Sequence, residues 1–209
     1  MAIFTYENLV DPILKIVRQS VVDFAVMKAG NSVLDVCCGT GAQVIEYGRC
    51  GINATGIDMD KNMLAFAEKN KARLKMDNIS FFIADATDLP FDDDCFDFVS
   101  VSFALHDKPP AVRSSVVSEM KRVVKRDGAL IFMDFNIPLP RNIWGVGANI
   151  VEYFAGGEHY LGFKEFKESG GVSKIVEEHG LAVQKTQLFN RGMVAVVKAQ
   201  TNKQYPQTT

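Results

Sequence analysis

The sequence, 209 residues long, holds only four cysteines, three histidines and one tryptophan, and neither sign of charge dominates, with 23 basic and 25 acidic residues. Each shortage excludes something. Cys37, Cys38, Cys50 and Cys95 have no paired C-x-x-C spacing, so neither a disulfide framework nor a structural zinc site is expected. Adjacent Cys37 and Cys38 read as small residues packed beneath a loop. The formal net charge of -2 offers no overall field to a polyanion, so nucleic acid is not the expected partner. No apolar run reaches the roughly 18 residues that a membrane helix needs. The opening MAIFTYENLVDPILKIVRQS lacks the charged start, apolar centre and small-residue cleavage site of an export signal, and a cytoplasmic protein is expected. No metal site is expected either: Asp92, Asp93 and Asp94 are consecutive, their side chains point apart, and no histidine stands near them in sequence.

What remains is an ordinary globular composition, 47% hydrophobic and 23% charged, in a length that suits one domain. Short β-rich runs alternate with helical patterns. Strands are expected over 32–37, 53–58, 79–84, 96–103 and 128–135, and helices over 42–50, 61–74 and 111–125. Near-continuous apolar strands separated by helices imply an α/β fold with a parallel sheet covered on both faces. The rhythm then breaks. A helix is expected near 143–155, then a Gly-Gly joint, then a helical stretch over 164–179 interrupted by Gly170 and Gly171. LAVQKTQLF and MVAVVKA face each other across Asn190-Arg191-Gly192, which is hairpin chemistry. Residues 1–29 read as an amphipathic helical cap with Ile13, Leu14, Val17, Val21 and Phe24 on one stripe. The expected plan is a single domain: cap 1–29, core 30–136, a helical segment 137–180 over the cleft, hairpin 181–198 and a frayed tail 199–209.

Chemistry concentrates in the stretch NSVLDVCCGTGAQVIEYG. Gly39, Thr40 and Gly41 lie between a strand and a helix, where a bare turn lets a ligand approach the backbone. Asp58 ends the second strand seventeen residues after Gly41, placed to accept both hydroxyls of a ribose. Val44 stands where a nicotinamide-binding turn would carry its third glycine, so a ligand with an amino-acid end suits this helix entry better than a pyrophosphate. Asp35, among apolar strand residues, needs a donor, either loop amides or a ligand ammonium. Asp85 follows the third strand and could accept from an exocyclic adenine amine, with the Ala86 backbone at a ring nitrogen and Met59 and Leu89 as apolar cover. Turn formation is the alternative for Asp85 and Asp88.

The ordered set VLDVCCGTG, GIDMD, FFIADATDLPF, FDFVSVSFALHD and MKRVVKRDGALIFMDF resembles the class I S-adenosylmethionine-dependent methyltransferases, and within them the type 11 group that includes ubiquinone and menaquinone biosynthesis enzymes. The resemblance implies a Rossmann-like seven-stranded sheet in the order 3-2-1-4-5-7-6 with strand 7 antiparallel. It implies S-adenosylmethionine as cofactor, leaving as S-adenosylhomocysteine. It places Asp35, Gly39, Thr40 and Gly41 around the methionine moiety, Asp58 on the ribose, Met59, Asp85 and Ala86 about the adenine, and Ser102 and Phe103 near the sulfonium. One departure is KRDGA, where the family usually has Lys-Pro-Gly-Gly.

The acceptor side carries fewer signals. His106 follows the fourth strand and reads as a base, an orienter of the acceptor, or a loop residue touching solvent; His159 and Tyr160 read as part of a lid. His179, before Gly180, reads as a helix C-terminal residue. Tyr6, Trp144, Tyr153, Phe154, Phe163 and Phe166 suit an aromatic or lipophilic small-molecule acceptor, with core packing as the alternative. A non-catalytic binding protein and a nicotinamide-dependent oxidoreductase stay open beside the methyltransferase, as do monomer and homodimer.

Overall fold

The computed structural model describes residues 11–202; the cap before residue 11, Tyr6 and the tail from 203 lie outside the described residues, as does the Ile13 side chain. The chain opens with helix α1 (Asp11–Ala25), whose stripe of Leu14, Val17, Val21 and Phe24 is buried as its spacing predicts. Five strands and three helices follow: β1 (Ser32–Val36), α2 (Ala42–Arg49), β2 (Asn53–Asp58), α3 (Lys61–Leu74), β3 (Ile79–Ile83), β4 (Phe96–Ser102), α4 (Pro110–Val123) and β5 (Val124–Phe135). Helices α5 (Ile143–Ala155), α6 (Gly157–Ser169) and α7 (Gly171–Glu178) lead to the hairpin β6 (Ala182–Phe189) and β7 (Val194–Gln200).

The seven strands form one sheet in the order β3-β2-β1-β4-β5-β7-β6. The pairs among β1 to β5 are parallel, and β7 runs antiparallel to both of its neighbours. Fully buried Leu34, Ile57, Leu130, Ile131 and Phe132 form the middle of the core. Their apolar continuity reflects helices on both faces. The hairpin turn works because Asn190, Arg191 and Gly192 all take left-handed φ, at 48°, 55° and 88°.

Several expected boundaries shift, each for a backbone reason. Strand β1 stops at Val36 and β4 at Ser102, because Cys37 (φ 56°) and Phe103 (φ 50°) turn into the left-handed region. Both residues sit at the carboxyl ends of neighbouring strands, where the chain order reverses and α/β sheets bind ligands. Val124 and Lys125, expected in a helix, instead begin β5 four residues early, with a register shift between Phe96 and Phe98. Gly128 sits in that irregularity, where an added Cβ would fall 2.5 Å from the Asp97 carbonyl oxygen. Helix α6 starts at Gly157 rather than 164, directly after Gly156 at φ 123°.

Candidate active site

At the reversal point, the bare turn is tied to the end of β2. The Gly39 N–H donates to Asp58 Oδ2 at 2.7 Å, and the Asp60 N–H donates to Asp58 Oδ1 at 2.9 Å. Asp60 in turn caps α3 by accepting from the Asn62 and Met63 amides. The two glycines face opposite ways. A Cβ added to Gly41 (φ 72°) would meet the Phe81 ring at 2.6 Å and Ala67 at 2.9 Å, so this glycine lets α2 close on the sheet. A Cβ on Gly39 (φ 52°) would meet nothing within 4 Å, and Gly39 lines a cavity of about 290 Å³.

Asp35 borders the same cavity at 1% exposure. Its Oδ1 accepts from Ser100 Oγ at 2.6 Å. Burial pushes its carboxyl up to about 7, against the opposing pull of that hydrogen bond and of the Arg18 charge. A carboxylate held this far from water invites a cationic group. Burial also pushes the Cys37 thiol up to about 12 and the Cys38 thiol higher still, so neither offers a thiolate at neutral pH.

Thr40, Asp58, Ser102, Phe103 and His159 complete the expected members of this cavity wall. Gly41 supports it from behind. Met59 is exposed and outside the wall, and Met63 from the first turn of α3 takes its place. Asp85 and Ala86 lie outside the wall too, two and three residues past Ile83, the sheet partner of Asp58. The Asp85 carboxylate closes its own turn, accepting from the amide and hydroxyl of Thr87, each at 2.8 Å, so its turn-forming alternative is what the contacts display. Asp35 and Asp58 therefore share one cavity and Asp85 does not border it. Sequence reasoning passed over Arg18, Gln43, Asp60, Met63 and Lys108 on this wall.

Beyond the loop after β4 lies a largely buried polar cluster. His106 is 4% exposed, which removes the solvent-touching alternative. Its Nδ1 meets Asp134 Oδ1 at 2.8 Å, and its Nε2 faces Glu152 Oε2 at 3.5 Å. His159 places Nε2 on the same Glu152 oxygen at 2.6 Å and Nδ1 toward Asp107 Oδ2 at 3.3 Å. Tyr160 instead sets its ring edge-to-face on Tyr153, 5.4 Å between centroids. Burial works against a charged His106, yet the Asp134 charge and hydrogen bond, with Glu152 behind them, lift it to about 10. Hydrogen bonds to Asp107 and Glu152 lift His159 to about 9. Burial alone would raise the two acids, but the imidazoles, joined at Asp107 by Lys108, hold Glu152 and Asp107 at about 2.

Two features join this cluster to the sheet. Arg113, buried in α4, donates through Nε to the Leu105 carbonyl at 2.7 Å and through Nη2 to the Gly162 carbonyl at 2.7 Å. Gly162 lets α6 press on the loop, since a Cβ there would fall 2.5 Å from the Asp107 carbonyl oxygen. Phe163 and Phe166 are fully buried beside it, whereas Tyr153 and Phe154 are exposed, so the aromatics divide between core and surface. His179 caps the end of α7, and its carbonyl accepts from Lys121 Nζ at 2.7 Å. Among the described residues no helix is long and apolar enough to cross a membrane.

The chain is similar to known proteins over most of its length. Residues 33–128 match the family model described as a methyltransferase domain. A demethylmenaquinone methyltransferase of Bacillus velezensis is 31% identical over 186 residues, covering 81% of this chain and 78% of that protein. The enzyme of the same name from Oceanobacillus iheyensis is 34% identical over 116 residues, 54% of this chain, and the chain spans about half, 48%, of that relative's length. Among solved structures, a SAM-dependent methyltransferase from Aquifex aeolicus superposes with a TM-score of 0.66 at 20% identity, covering 87% of this chain and 88% of that one. With the sheet order 3-2-1-4-5-7-6 and the glycine turn at its reversal point, the chain belongs to the class I S-adenosylmethionine-dependent methyltransferases.

Proposed function

We propose that this protein transfers a methyl group from S-adenosylmethionine to an aromatic or lipophilic small molecule held between the carboxyl ends of β1 and β4 and the helices α5 and α6. The carrying observation is one cavity bordered by the open face of Gly39, by Asp35 and Asp58 on one side, and by Phe103, Asp107 and His159 on the other. The donor set fits the cofactor. Buried Asp35 suits an ammonium, the bare Gly39 backbone suits close approach of an amino-acid end, and Asp58 keeps lone pairs for ribose hydroxyls beside its two backbone contacts. The bound cofactor supplies a methyl group already activated on positive sulfur.

The chain's own residues bind, align and exclude water. Phe103, left-handed at the end of β4, sets its ring edge-to-face against Phe135, 5.7 Å between centroids, and contributes an apolar part of the cavity wall. His106 does not border the cavity and its Nδ1 is held by Asp134, so it supports the acceptor wall from behind rather than touching the acceptor as a base. Relatives named for demethylmenaquinone support a lipophilic acceptor, and so does α5, which leaves Val146, Ile150, Tyr153 and Phe154 exposed beside the cluster. Labelled-methyl transfer across a panel of quinols, phenols, thiols and amines tests the reading, alongside calorimetric titration with S-adenosylhomocysteine. Transfer to a ring-bearing acceptor is expected. Cofactor binding without transfer to any of them would leave a binding protein, and absence of cofactor binding at millimolar concentration would overturn the reading entirely.

A further inference from the structure

The side chains of His106, Glu152 and His159 converge without belonging to one local motif. Their ligand atoms all lie within 4.8 Å of one another, with two of the three residues buried and the third half-buried. In both histidines Nε2 points at Glu152 Oε2, while Nδ1 is turned to a separate carboxylate, Asp134 for His106 and Asp107 for His159. A carboxylate behind each imidazole is the outer-shell arrangement that fixes ring orientation and raises ligand basicity in metal sites. Metal bonds of roughly 2.0 to 2.2 Å require ligand atoms about 3 to 3.5 Å apart. The 3.5 Å separation of His106 Nε2 from Glu152 meets this; His159, on its half-exposed helix start, would ease back from 2.6 Å on Glu152 and lies within 4.8 Å of the His106 nitrogen.

We propose that His106 Nε2, Glu152 Oε2 and His159 Nε2 bind a divalent transition-metal ion at the acceptor end of the cleft, with an open position for an acceptor thiol or hydroxyl. Two imidazoles and one carboxylate suit zinc or its neighbours rather than calcium or magnesium. Of the three, His159 borders the cavity that also holds Asp35, Asp58 and Asp107, so an ion here would lie next to that cavity. The role toward an acceptor rests on the methyltransferase reading; the ion site itself does not. A coordinated X–H would lose its proton to solvent, and the lone pair left on X would form the X–CH3 bond as the S–CH3 bond breaks, its electron pair returning to sulfur and S-adenosylhomocysteine leaving. No change of oxidation state is involved. No metal is legible in the sequence, because Glu152 has no ligand spacing with His106, and the joint at Gly156 brings α5 and α6 together only in the fold.

The test uses metal-stripped full-length protein titrated calorimetrically with ZnCl2, and spectroscopically with CoCl2, without cofactor. One equivalent is expected to bind, with a cobalt spectrum free of thiolate charge transfer, which separates this site from Cys37, Cys38, Cys50 and Cys95. His159→Ala and Glu152→Gln should each weaken zinc by more than about 100-fold, and Asp107→Asn by about 10- to 100-fold. Far-ultraviolet circular dichroism and an unchanged urea-unfolding midpoint check that each variant is folded; His159→Ala, at a half-exposed position, decides the matter if Glu152→Gln does not fold. No zinc binding by the wild type at millimolar concentration, or binding unchanged in His159→Ala, overturns the proposal. Zinc binding without S-adenosylhomocysteine binding would instead sink the methyltransferase reading and leave the ion site standing.

Discussion

Asp58 and Asp35 carry different kinds of charge, and two predictions separate them. Asp58 is a connector, accepting from Gly39 and Asp60 while bordering the cavity. Asp58→Ala should weaken S-adenosylhomocysteine binding by about 1.5 to 3 kcal/mol, the worth of hydrogen bonds to a charged group. Calorimetry on the folded variant reads this directly, and an unchanged dissociation constant would remove Asp58 from the site. Asp35 is a buried acid raised to about 7, so the free protein holds it largely protonated in mildly acidic solution. A ligand ammonium favours the carboxylate form. Binding must therefore expel a proton below about pH 7, and affinity should rise with pH up to that value and then level off. For folding the sign is opposite: a raised acid makes the native state lose stability as pH climbs from its unfolded value toward 7. Titration at pH 6 and pH 8, in buffers of different ionisation enthalpy, should detect the released proton, and Asp35→Asn should abolish both the release and the slope.

The turn between β1 and α2 separates two requirements of a single element. Gly41→Ala places a Cβ against Phe81 and Ala67 and holds a left-handed φ, so it should destabilise the protein by about 2 to 4 kcal/mol in urea unfolding. Gly39→Ala meets no protein atom, so its cost should be confined to about 1 kcal/mol of backbone preference while cofactor affinity falls sharply. Equal loss of stability in the two variants would contradict this division. The turn was legible because strand, glycines and carboxylates follow one another within thirty residues. The boundaries read less well. Cys37 and Phe103 end their strands through left-handed backbone that a propensity cannot foresee, and β5 starts early because pairing with Phe96 overrides the helical pattern of its first residues. Glu152 had a signal that went unused: it is the one charged residue in the apolar helix IWGVGANIVEYFA. Asp134 had the same signal at the end of the run GALIFMDF.

Across the whole molecule, the parallel sheet could be expected from its apolar runs, whereas the second half of the cleft is assembled from segments separated by tens of residues. His106 comes from the loop after β4, Asp134 from β5, Glu152 from α5 and His159 from α6. No local spacing links them, so only the fold reveals the cluster. Arg113 binds this assembly together by donating to carbonyls on the β4 loop and on α6 at once. Arg113→Leu should leave those buried acceptors unsatisfied and cost about 3 kcal/mol, measured by denaturant unfolding. Hydrogen exchange should quicken first in α6 rather than in the central strands, and uniform quickening across the sheet would argue against a local clasp.

The missing side chain at Gly162 has one more effect. With α6 pressed on the Asp107 carbonyl and bolted by Arg113, the helix that carries His159 is fastened to the loop that carries His106 and Asp107. Glu152 stands across the Gly156 joint on α5, so its grip on both imidazoles depends on that joint keeping its angle.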